Sequence, residues 1–247
     1  MAFQAVFKRY EIKYMITLAQ KEKILSAMNP YMKLDAYGRT TIRNLYFDTD
    51  SYLLIRRSIE KPVYKEKLRI RSYCQADSGS PVFVELKRKY KQEVYKRRVS
   101  LPEEEAMQWI SKKRRCRNQS QISDEIDYFL NYYKDLRPAV FLSYEREAYF
   151  SKDGSVFRVT FDDNVLCRQE DLTLRSDVYG VPILPEGMVL MEIKCSGGIP
   201  LWMTHILSQE RIYKTSFSKY GMAYCSMIFP QLQLPTAYNT KEATYNA

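Results

Sequence analysis

Four cations occupy alternate positions of one short segment. In residues 64–73, Lys65, Lys67, Arg69 and Arg71 alternate with Glu66, Leu68 and Ile70, and in residues 81–90, Glu85, Lys87 and Lys89 alternate with Val82, Val84 and Leu86. A period of two is that of a β-strand, so each segment has one charged and one apolar face. On an ordinary half-buried strand the charged face lies in water and has no further meaning. Here the pattern recurs in Tyr144 and Arg146, in Arg158, Thr160 and Asp162, and in Leu190, Glu192 and Lys194, each time beside apolar alternates. Several strands presenting Lys, Arg and a few Glu on a common side predict the wall of an anion-binding cavity.

Composition narrows the chemistry. The 39 Lys and Arg against 29 Asp and Glu give a formal charge of +10, which points to polyanionic partners. The single histidine, His205, excludes a site built on several imidazoles, and it falls in a segment whose pattern (Leu201, Ile206, Leu207, Ile212) is that of a packed helix. Its predicted role is structural. The five cysteines are odd in number and scattered, so neither a disulfide framework nor a zinc site is expected. Carboxylates, lysines and arginines remain, the groups that bind hard metals and phosphates.

The chain reads as many strands with helices between them. Strands are predicted at 7–14, 40–48, 64–73, 81–91, 92–101, 139–150, 156–163 and 188–195. Thr17 and Gln20 form a capping-box pattern that opens a helix ending near Pro30, and a short helix or turn follows at 50–57. Pro102 with Glu103, Glu104 and Glu105 marks another helix start; further helices are expected at 122–133, 201–213 and 217–229. The basic stretch 112–117 reads as a solvated connection, and residues 230–247 as a polar tail beyond a single domain spanning 1–229. No repeat or interdomain linker appears. The strands meet mostly as antiparallel hairpins, so the expected fold class is α+β. Its centre is a closed antiparallel β-barrel with a charged interior and helices packed on the outside.

At this point the residues resemble a known family. Arg9-Tyr10-Glu11-Ile12-Lys13-Tyr14, Tyr46-Phe47-Asp48, Lys67-Leu68-Arg69-Ile70-Arg71, Glu85-Leu86-Lys87, Tyr144-Glu145-Arg146, Glu192-Ile193-Lys194 and Ser218-Lys219-Tyr220, in that order, are similar to the motifs of the VTC domain, the polyphosphate polymerase domain of the triphosphate tunnel metalloenzyme superfamily. The match spans roughly residues 7–229 and looks like a free-standing, bacterial-type version. The resemblance implies a tunnel of about eight antiparallel strands. It also implies Lys13, Arg69, Arg71, Lys87, Arg146, Arg158 and Lys219 as the catalytic phosphate-holding cations. Lys67, Lys89 and Lys194 share faces with these and form a second substrate-binding set, to which Tyr144 and Ser218 add neutral hydrogen bonds. Glu192 is the expected metal ligand for Mn²⁺ or Mg²⁺. Glu11 and Glu85 are weaker candidates whose alternative role is to neutralise neighbouring lysines. The superfamily opens on alternating glutamates, and Arg9 takes one of those places, which favours the VTC branch and leaves fewer acids for a second metal.

The activity this implies is transfer of the ATP γ-phosphate to phosphate or a growing polyphosphate chain. An acceptor that is already anionic needs no strong general base, in keeping with the scarcity of histidine. Two alternatives share the tunnel: hydrolysis of inorganic or nucleoside triphosphate, and a non-catalytic polyphosphate or inositol-phosphate sensor. Specific nucleic-acid binding is not expected, because the 21 tyrosines are spread through the strands as packing residues. The expected location is cytoplasmic, compatible with an inositol-phosphate ligand or a partner at the inner face of a membrane. The sequence specifies no oligomeric state.

Overall fold

In the computed structural model the residues described are 10–91, 93–112 and 114–233. One mixed-length antiparallel sheet dominates. Its long strands are β1 (Tyr10–Thr17), β3 (Thr40–Asp48), β4 (Tyr64–Ser72), β5 (Pro81–Tyr90), β6 (Glu93–Pro102), β7 (Arg137–Ser151), β8 (Arg158–Arg168) and β10 (Met188–Cys195). Short strands β2 (Met32–Leu34), β9 (Val181–Pro182) and β11 (Lys214–Thr215) pair at its margins and have no sequence signal of their own. The order is β11-β1-β10-β8-β7-β3-β4-β5-β6. Arg9 and the polar segment after Gln233 lie outside the described residues.

The expected barrel closure is corrected by the ladders. Among the described residues β6 pairs only with β5, and β1 pairs only with β10 and β11, so the hydrogen-bonded sheet has two edges. It curls all the same. Lys87 on β5 reaches Glu11 on β1 at 3.2 Å, although six ladders separate the two strands in the sheet order. At the seam the side chains of Lys87 and Glu11 meet, while β6, exposed along its first half, has no ladder partner but β5 among the described residues.

Helices cover the convex face in two clusters. Under α3 (Glu103–Ile110) and α4 (Gln121–Tyr132), the outward alternates Leu68, Ile70, Val82, Val84 and Leu86 pack with Trp109 and Phe129. Under α1 (Leu18–Met28) and α5 (Leu201–Gln209), Ile16, Val159, Phe161, Met191 and Ile193 pack with Ile24 and Met203. Each fully buried aliphatic side chain contributes about 1.5–3 kcal/mol, and Trp109→Ala would cost about 3–5 kcal/mol. The capping box of Thr17 and Gln20 opens α1 as expected, with reciprocal bonds of 3.1 and 3.0 Å. Ser120 caps α4, which begins at Gln121, one residue before the expected helix start at 122.

A third cluster breaks the rule that helices stay outside. Ile42, Tyr46, Leu142 and Tyr144 lie on the same strand faces as Asn44 and Arg146, and they pack against Ile55 of α2 (Leu53–Ile59) and Tyr220 of α6 (Lys219–Ala223). One end of the concave face is therefore apolar and plugged. The predicted helix at 217–229 is built as α6, a π-helical turn at Tyr224–Ile228, and α7 (Phe229–Leu232). Pro230 is accommodated in the first turn of α7, where its missing N–H is not needed. Asp48 ties this plug down: its carboxylate accepts from the backbone of Leu54 and Ile55 and from the Tyr220 hydroxyl at 2.9 Å.

Candidate active site

The alternation seen in the sequence turns the cations of several strands onto one concave surface. Register places Lys67 opposite Lys87, Arg69 opposite Glu85, and Lys13 opposite Glu192, while α6 brings Ser218 and Lys219 inward from the plugged end. Like charges directly opposite one another on neighbouring strands destabilise a sheet. Lys67 and Lys87 form such a like-charge pair on this wall, an arrangement that a bound anion would relieve.

Three local networks organise the wall. In the first, the Arg69 guanidinium donates to Glu85 at 2.8 and 2.6 Å and to the Tyr46 hydroxyl at 2.9 Å. Glu85 also takes Lys96 at 2.7 Å and Arg98. Burial opposes its charge, but Arg69, Arg71 and Lys96 around it hold its carboxyl well below the ordinary carboxylate range. Burial likewise opposes the Arg69 charge, and Tyr46 and Glu85 keep it firmly protonated.

In the second network, Arg71 donates to Asn44 at 3.0 Å and to the Tyr144 hydroxyl at 3.1 Å. Arg146 forms a two-pronged pair with Asp162 at 2.6 and 2.7 Å, and Lys219 reaches the same carboxylate at 2.5 Å. The Tyr144 ring lies beneath both cations, 5.0 Å from Arg146 and 4.3 Å from Lys219. Burial would raise the Tyr144 phenol, yet Arg146, Arg71 and Lys219 bring it down to about 8.

The third network runs along β1 and β10. Glu192 pairs with Lys194 at 3.0 Å, Lys13 donates to the Phe217 carbonyl at 2.7 Å, and Lys67 donates to Ser218 Oγ at 2.9 Å. Burial lowers Lys13 to about 8, with Glu192 opposing; burial and the nearby Lys65, Lys13 and Lys87 lower Lys67 to about 7. Glu192 is held well below the ordinary range against its burial, first by Lys194 and Lys13. It is an ionised, nearly buried carboxylate.

Most residues expected from the sequence thus converge, and two do not sit in the centre. Arg158 is half-exposed at the rim, 3.7 Å from Asp35 and over the Phe150 ring. Lys89 pairs with Lys65 at the outer end of the wall. His205 is exposed on α5, away from the wall, on the solvent side of a helix whose packed face is Met203, Ile206 and Leu207. Site residues with no role expected from the sequence are Asn44, Tyr46, Lys96, Arg98 and Asp162, although Tyr46 and Asp162 stand in the patterns named there. Lys96 and Arg98 alternate on β6 as Lys87 and Glu85 do on β5, so a face-by-face reading of that strand would have found them. Asn44 and Tyr46 carry no charge, and only the register reveals them.

A divalent cation can be tested against this donor set. Among the described residues no three of His, Cys, Asp or Glu converge into a ready-made metal cage. Glu192 and Glu11 are close enough to perturb one another across β1 and β10, and both stay ionised, the buried Glu192 against its desolvation and the partly exposed Glu11 against a partial desolvation that Lys87 offsets. One or two carboxylates completed by water and phosphate oxygens suit a hard divalent ion. Glu192 and Glu11 fit it; Glu85, with three cations on its oxygens, does not.

A curled antiparallel sheet with a cationic concave wall and helices on its back is the architecture of the triphosphate tunnel proteins. The chain belongs to the VTC domain family, whose model matches residues 8–228. Among solved structures it is similar to a candidate adenylate cyclase from Bacillus halodurans, with 15% identity, 84% of this chain and 92% of that one covered, and a TM-score of 0.52. It is also similar to a candidate adenylyl cyclase from Hippeastrum described as having a dominant triphosphatase activity, with 15% identity, 91% and 96% covered, and a TM-score of 0.51. At these identities the likeness is one of fold. No curated protein matches the chain. No helix among the described residues is long and apolar enough to cross a membrane.

Proposed function

We propose that this protein is a polyphosphate polymerase that transfers the γ-phosphate of ATP to phosphate or to the end of a polyphosphate chain. The observation that carries the reading is the state of the tunnel carboxylates. Asp162 and Glu85 are each bound by two or more cations, and Glu192 and Glu11 each stand against a lysine. None is placed as a free base to take a proton from water. A terminal phosphate oxygen is already anionic and needs no such base.

The chain's own residues would act by position and charge. Arg69 and Arg71 offer planar forks suited to phosphate oxygens, Lys13, Lys67 and Lys87 supply point charges, and Arg146 and Lys219 adjoin Arg71 around Tyr144. Fixed cations aimed at a phosphoryl group disperse the charge that builds on its oxygens during in-line transfer. Bound through Glu192, with Glu11 beside it, Mn²⁺ or Mg²⁺ would add further neutralisation of phosphate charge. Substrates are thus ATP and polyphosphate. The second reading, hydrolysis of triphosphate, is supported by the activity described for the Hippeastrum neighbour.

Incubation of the purified protein with ATP, Mn²⁺ and a short polyphosphate primer separates the two. Polyphosphate lengthening matched by ADP is expected. ADP with stoichiometric free phosphate would replace the polymerase reading with the triphosphatase, and tight triphosphate binding without turnover would make the protein a sensor.

A further inference from the structure

Asp162 is a tunnel carboxylate that neither phosphate binding nor metal binding accounts for. The Asp162 side chain has no exposed surface, and both of its oxygens are engaged: Oδ1 by Arg146 Nε, Oδ2 by Arg146 Nη2 and by Lys219 Nζ. In a site for polyanions a fixed negative charge weakens affinity. Its presence therefore calls for a gain that is not affinity.

We propose that Asp162 is a positioning residue, holding Arg146 of β7 and Lys219 of α6 in a single shared orientation toward the triphosphate. This rests on the reading of the tunnel as a triphosphate site. Arg146 and Lys219 come from separate elements 73 positions apart in the chain, and without a common counter-ion two like charges this close would push apart. Helix α6 is only five residues long, so little of its own structure fixes where Lys219 points. The Asp162 carboxylate fixes it from one side and the Tyr144 ring from beneath. Both cations keep further N–H groups for a phosphate, since Arg146 Nη1 and two of the three Lys219 protons are not used by Asp162. Orientation of this kind acts on the rate of transfer more than on binding.

The test is a double-mutant cycle read by calorimetric binding of tripolyphosphate without metal, together with ADP formation from ATP and Mn²⁺. Asp162→Asn should leave tripolyphosphate affinity within about threefold of wild type, because the lost alignment is offset by one fewer negative charge, while kcat falls about 10²-fold with KM unchanged or lower. Lys219→Met should weaken binding about tenfold in the parent protein but only about twofold beside Asp162→Asn, a coupling of the size expected for residues in one network. Asp162→Glu should recover part of the coupling and serves in place of the Asn variant should that one fail to fold. Additive effects of Asp162 and Lys219 on binding would overturn the proposal, as would a rise in KM with kcat unchanged. Absence of turnover with the coupling intact would instead remove the polymerase reading and leave the positioning role standing. A protein that binds no tripolyphosphate would sink both.

Discussion

Lys87 and Glu11 join the two ends of the curled sheet at 3.2 Å where no backbone ladder does. The pair is partly exposed, so it contributes little stability, and its importance lies in placing a cation at the seam. Lys87→Met should weaken tripolyphosphate binding about tenfold while thermal unfolding moves by less than about 1 kcal/mol. Glu11→Gln, which releases Lys87, should leave metal-free binding unchanged or tighter. Weaker binding in Glu11→Gln would show that the pair, and not the lysine alone, shapes the seam.

Arg69 and Arg71 differ in what they leave behind. Arg69→Ala keeps Glu85 paired with Lys96 and Arg98, so the fold should tolerate it. Arg71→Ala leaves the Asn44 carbonyl oxygen buried without its donor, at a cost of about 1–3 kcal/mol. Both should lower ADP formation by about 10²–10³-fold. Wild-type turnover in either purified variant would remove that arginine from the site.

Lys67, lowered to about 7 mainly by burial and then by its cationic neighbours, makes binding pH-dependent. A phosphate chain beside the ammonium favours its charged form and raises this value in the complex. At pH values between the free and bound values the complex holds more protons than the free protein, so binding takes up protons and affinity falls as pH rises through that window. Calorimetry at pH 8 in buffers of different ionisation enthalpy should detect the uptake. It should be smaller in Lys67→Met, with the remainder shared by Lys13 and Tyr144, both brought down to about 8. Identical uptake in the two proteins would place Lys67 away from the anion.

Glu192→Gln separates a metal ligand from a counter-charge. If the carboxylate binds the divalent ion, the Mn²⁺ concentration for half-maximal turnover should rise at least about tenfold, while metal-free tripolyphosphate binding stays level or tightens. Parallel loss of both would assign Glu192 to neutralising Lys194 and Lys13.

Much of this site could be read in the sequence because a two-residue period converts directly into a face. Lys67, Arg69 and Arg71 stand on the predicted side of β4, and Glu85 and Lys87 on that of β5. Whether the sheet closes is set by edges, and that β6 pairs only with β5 among the described residues shows only in three dimensions. Asp162 was visible as an alternate of Arg158 and Thr160, but its two cations come from β7 and α6, and only the fold brings them together. That α6 turns inward was implied only by the resemblance that put Ser218 and Lys219 in the site, since an amphipathic helix pattern does not say which surface it meets. Tyr220 on Tyr46 at 4.8 Å, with its hydroxyl on Asp48, supplies that answer.

The bond from Lys13 to the Phe217 carbonyl joins residues 204 positions apart. A growing polypeptide therefore cannot present a finished cation tunnel until α6 has emerged and docked. In a cell containing abundant nucleotides and phosphate chains, early strands carry their lysines and arginines unassembled, each with only the weak anion affinity of a single charge. The full set of wall cations is assembled late, as a by-product of the order in which the chain is made.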